Sequence, residues 1–161
     1  ALALALADLA AQFKLSKEMY DEWLSLNTIS QQVARVRSQL AELQKRAPAS
    51  DLKLHLNALD EKLQTLATGT VVGQTVQSAP SPAGATSVPP RANLATTTGR
   101  LRTIFGLIEE VDVAPTPQAA AATPNLVSDS HSLQEAWKLI DSKDIATLNQ
   151  ELRVAGLPEL K

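Results

Sequence analysis

The sequence predicts an all-α protein: an antiparallel four-helix bundle with a short C-terminal fifth helix and a long Pro/Gly-rich crossover loop. Three observations predict it. Apolar residues recur in steps of three and four along separate stretches, which lines one side of a helix and suits helices packed nearly parallel. Prolines and glycines fall between those stretches, where helices stop. Aromatic residues make up only 3% of the chain against 44% apolar, so the core is built from Leu, Val, Ile and Ala meeting along narrow seams.

The first stretch is the longest. Leu26, Ile29, Val33, Val36, Leu40 and Leu43 predict a helix from about Asp8 to Arg46. The opening ALALALA has the period of a strand but the composition of a helix, and reads as an extension of the first turns. Traced back from Leu26, the seam passes Leu15, Met19 and Glu22, and Glu22 breaks its apolar register. Phe13, Tyr20 and Trp23 sit on a slightly rotated stripe and are the candidate partner-docking residues. Pro48 stops the helix, since its ring clashes with the preceding turn and it has no N–H to donate.

Helix two follows, with Ser50 as N-cap, Asp51 placed against the helix dipole and Gly69 as the stop. Leu52, Leu56, Leu59, Leu63 and Leu66 form its stripe. The loop before it is short, so helices one and two pack antiparallel. From 70 to 92 the composition shifts to Pro, Gly and small residues with almost no charge. This is the flexible crossover, a linker inside a single 1–161 domain.

Helix three begins after Asn93 as N-cap and carries Leu94, Thr97, Leu101, Ile104 and Ile108 on its way to about Val111. Gly99 and Gly106, seven apart, suggest close approach of a neighbouring helix. Thr116-Pro117 and Thr123-Pro124 are each good helix starts, so helix four either starts at Pro117 and kinks at Pro124 or starts afresh there. Leu126, Ser130, Leu133, Trp137 and Ile140 carry it to an end near Ser142. A last helix from about Asp144 to Ala155 presents Ile145, Leu148 and Leu152, and is stopped by Gly156 and Pro158. Leu157 and Leu160 are placed to tuck back onto the bundle end.

Composition then removes several function classes. A net charge of −2 with no basic face argues against nucleic-acid binding. The absence of cysteine excludes disulfides, thiolate catalysis and Cys-based zinc sites. No segment approaches the roughly twenty apolar residues of a transmembrane span. His55 and His131 are the only imidazoles, each four residues from a carboxylate, Asp51 and Glu135. A metal bundle needs more converging groups than that, so no metal and no cofactor is expected. The adjacent carboxylates Asp21-Glu22, Asp60-Glu61 and Glu109-Glu110 point in different directions and read as solvated surface. No G-x-S-x-G or phosphate loop is present, so no catalytic residue is assigned.

The C-terminal run SLQEAWKLIDSKDIATLNQELRVAGLPEL is the most specific wording, with Asn149 and Ala155-Gly156-Leu157-Pro158 its most distinctive part. Together with ADLAAQFKLSKEMYDEWLSLNTISQQVARVRSQL and ATTTGRLRTIFGLIEEVDVAPT, it resembles the C-terminal helical region of exported bacterial sialidase-like (BNR/Asp-box, sortilin-type) β-propeller proteins. No Ser-x-Asp-x-Gly-x-x-Trp box of the propeller itself is present. The resemblance implies an extracytoplasmic, periplasmic or secreted, location and a role as an appended helical module. The expected function is therefore a non-enzymatic structural or protein-interaction module. Its partner would be another protein, a second copy, or its own propeller. The alternatives are an amphipathic lipid-surface bundle and a small-molecule or metal-binding bundle.

Overall fold

The computed structural model describes residues 2–47, 51–69, 92–109 and 117–161; side chains at 2–5, 109 and 119 lie outside the description. The expected N-cap at Ser50, the stop at Pro48, the 70–92 crossover apart from Ala92, and the end of helix three at Val111 fall outside the described residues. Among the described residues the chain is all-α, with four helices and a C-terminal fifth: α1 (Leu2–Arg46), α2 (Asp51–Thr68), α3 (Leu94–Glu109), α4 (Pro117–Leu139) and α5 (Ala146–Val154).

The seams read from the spacing form the core. Leu26, Val33, Val36, Leu40 and Leu43 of α1 are buried, as are Leu56, Leu59, Leu63 and Leu66 of α2. Leu94, Leu101 and Ile108 of α3 and Leu126 and Leu133 of α4 complete it. α1 spans about 68 Å at 1.5 Å per residue, and the other helices lie along it. Arg37 reaches Asp60 of α2, while Tyr20 stacks on Phe105 and Gln12 donates to the Ile108 carbonyl of α3. Rising residue numbers on α2 and α3 thus match falling numbers on α1, so both run antiparallel to it. They follow one another along α1: a Cβ added at Gly69, the stop of α2, would come within 2.9 Å of the Asn93 side chain that starts α3. α4 runs the other way, with Glu22 beside Ser130. Gln39 meets the Lys161 amide at the far end.

The caps behave as their residue types require. Gly69 and Gly156 are the positive-φ residues among those described, at 73° and 72°. Gly69 N–H donates to Thr65 at 2.8 Å. Gly156 and Leu157 donate back to Arg153 and Leu152 at 3.1 and 2.8 Å, closing α5 with a Schellman motif. Asn93 Oδ1 accepts from the Thr96 N–H at 2.9 Å, the expected N-cap bond. Beyond α5, Asn149 clasps the returning chain: its amide donates to the Leu160 carbonyl at 3.2 Å and accepts from the Leu160 N–H at 2.7 Å. That bond pair seats Leu160 in the core, as its placement suggested.

Two expectations are corrected. Helix four does not end near Ser142. Helical structure continues from Pro117 through Pro124, and a π-helical segment, Ile140–Ile145, joins α4 directly to α5. The cause is a spacing. Core residues step by four and three to Ile140, and the next, Ile145, is five residues on. On an α-helix that step rotates Ile145 about 140° off the seam. The i→i+5 bonding of a π turn returns it to the same side, and both isoleucines are buried. The Gly99/Gly106 stripe is the second correction. A Cβ built at either position meets nothing within 4 Å. The seam residues Leu94, Thr97 and Leu101 are buried, and the glycines lie off that seam.

Candidate interaction surface

The aromatic residues of α1 divide into two groups. Tyr20 stands between Trp23 and Phe105, with ring centroids 6.0 Å apart in each pair and tilts of 33° and 43°. The spacing and tilt suit aromatic pairs, which avoid the eclipsed face-to-face stack. Trp23 and Phe105 are half-buried and pack against the core, so the cluster ties α1 to α3. Phe13 stands apart from these rings, with 71% of its surface exposed.

Phe13 does not stand alone on the surface. Leu6 is 61% exposed, Leu9 54%, Tyr20 45% and Leu24 45%. These residues occupy one side of α1, in steps of three, four, seven and four, with half-buried Ser16 between Phe13 and Tyr20. The early part of α1 therefore carries two apolar stripes. One, through Leu15, Met19 and Leu26, enters the core; the other faces outward. The sequence reading found Phe13, Tyr20 and Trp23 but not Leu6, Leu9 and Leu24, although their spacing was the available signal.

Polar chemistry concentrates where two seam interruptions meet. Glu22 on α1 and Ser130 on α4 each replace an apolar residue, and they face each other. Ser130 is fully buried and donates its hydroxyl to Glu22. Gln134 donates to the same carboxylate at 2.8 Å and to Ser130 Oγ at 3.1 Å, and His131 Nε2 lies 2.9 Å from it. The Glu22 side chain is only 15% exposed. Its expected place on a solvated face is thus corrected: it is held inside by three partners, as a nearly buried carboxylate must be. Asp60, also expected on a solvated face, is partly buried and takes Arg37 at 2.8 Å.

The two histidines serve different helix pairs. His131 reaches Glu22 rather than its helical neighbour Glu135, and His55 reaches Glu151 of α5 at 2.7 Å rather than Asp51. Lys62 ties α2 to the π-helical segment by pairing with Asp144 at 3.1 Å. Among the described residues no group of three His, Asp or Glu side chains is arranged to hold a metal, and no helix is long and apolar enough to cross a membrane. The hydroxyl of Ser130 is directed to a carboxylate and shut off from solvent.

Comparison with family models, curated proteins and solved structures finds no match to this chain.

Proposed function

We propose that the chain is a non-enzymatic helical interaction module, the C-terminal part of a larger exported bacterial protein, which presents the early part of α1 to a partner helix. One observation carries the reading: Leu6, Leu9 and Phe13 stand exposed at helical spacing on the start of α1, ahead of the core, which the helix enters from Leu15 onward. A contiguous apolar patch of this kind marks an interaction surface on a folded protein. The burial of Ser130 and the engagement of both histidines in helix-to-helix pairs support a structural use of the polar groups. The appended position and extracytoplasmic location follow from the resemblance of the helical segments to the region behind exported propellers.

Hydroxyl-radical footprinting of the native protein, as isolated from its source, tests the docking surface. Phe13 and Leu54 have nearly equal exposure in the isolated chain, 71% and 66%. Oxidation at Leu9 and Phe13 is expected to fall several-fold after correction for intrinsic reactivity, while Leu54 stays reactive. Unchanged labelling at Phe13 removes the docking role. The mass of the native polypeptide tests the appended position: it is expected well above 17.2 kDa, and a value of 17.2 kDa overturns that part.

A further inference from the structure

The outward stripe of α1 has the spacing of a coiled-coil seam. Leu6 to Leu9 is three residues, Leu9 to Phe13 four, and Phe13 to Tyr20 one full heptad through Ser16. A seam of that spacing is complementary to a helix with the same spacing, because each side chain enters a gap between four on the facing helix. The same stripe on a second molecule meets that requirement. It carries no charge at its central positions, and its border holds both signs, Lys17 and Asp21 paired at 2.6 Å. The net charge of −2 leaves little repulsion between copies.

The area is that of a small interface. At their observed exposures, Leu6, Leu9, Phe13, Tyr20 and Leu24 leave on the order of 500 Å² of surface, within the range of a monomer's largest apolar patch, which is often functional. Two copies joined through these residues would bury about 1,000 Å² in total, the low end of specific interfaces. The stripe is also preorganised. Tyr20 is held by Trp23 and Phe105, so ordering that end on binding costs little.

We infer that two copies of this chain associate through residues 6–24 of α1, forming a two-helix seam that buries Leu6, Leu9, Phe13 and Tyr20. The inference rests on the reading of α1 as a docking helix and names its occupant. An isologous contact needs one self-complementary patch and closes at two copies.

Sedimentation equilibrium of the purified 161-residue chain tests it. At roughly 100 µM the expected mass is twice 17.2 kDa. Phe13→Glu places a charge in the seam and is expected to weaken association at least about tenfold, with helicity unchanged because Phe13 touches little of the core. Leu54→Glu, on α2, is expected to stay dimeric. A monomeric wild type, or a Phe13→Glu chain that dimerises as well as wild type, overturns the inference. The chain has no cysteine, so Ser16→Cys gives a second measurement that needs no loss of stability. Mild oxidation is expected to link it into a covalent dimer while Leu54→Cys stays monomeric, and the reverse pattern overturns the inference. A monomer here, with Phe13 protected in the native protein, sinks self-association and leaves the docking reading standing.

Discussion

Glu22 shows how a single residue can stabilise one arrangement of helices over others. An apolar seam tolerates sliding by a whole heptad, but a carboxylate in that seam does not, because it must find donors wherever it lands. Ser130, Gln134 and His131 supply them at one register of α4 on α1. Glu22→Ala strands the Ser130 hydroxyl and leaves a void, and is expected to cost about 2–3 kcal/mol in urea unfolding. The double replacement Glu22→Leu with Ser130→Ala removes both halves of the pair, and is expected to be at least as stable as Glu22→Ala alone. A double variant less stable than Glu22→Ala would show that the network contributes net stability rather than register. In the sequence Glu22 breaks one stripe and Ser130 sits within another, but nothing in a one-dimensional spacing says which two seams touch.

Among the elements, the junction of α4 with α5 responds to a spacing. The step of five from Ile140 to Ile145 requires a π turn if both residues are to stay in the core. Deleting Ser142, which is exposed, shortens that step to four and lets an α-helix run unbroken from α4 into α5. The deletion variant is expected to keep its helicity and to unfold at the same or a higher temperature. A fall in melting temperature of more than about 4 °C, roughly 1 kcal/mol for a domain of this size, would mean that the π turn is itself required. The five-residue step was present in the sequence and passed unnoticed, since a break in periodicity is more commonly a helix end than an inserted residue. Caps were more readable. Asn93, Gly69 and Gly156 are each specified by local backbone needs: an acceptor for a free N–H, or a left-handed turn that a side chain disfavours.

The whole molecule is a helical rod in which α2 and α3 follow one another along α1, while α4 and α5 form a continuous opposing strut. Because Gly69 and Asn93 are neighbours, the connection between them leaves and returns at one place. Replacing residues 70–91 with a linker of about four residues is therefore expected to preserve the fold and to raise its unfolding free energy by about 1 kcal/mol, from the lower cost of closing a shorter loop. Loss of helicity in that variant would show that the segment contributes to the fold. The prediction could not be framed from the sequence, where a linker of that length suggested a crossing from one end of the bundle to the other.

The sequence by itself determined the all-α class, most of the buried stripes and the caps at Gly69, Asn93 and Gly156, because those follow from interactions within a few residues of one another. Only the tertiary structure decided the neighbours. It placed Glu22 against Ser130, His55 against Glu151, and α2 end to end with α3. It also showed that Leu6, Leu9 and Phe13 remain outside. The physical reason is that a periodic stripe demands some apolar partner without naming it. The choice is made by three-dimensional packing, where seams compete for one another and the stripe that finds no place inside is left on the surface.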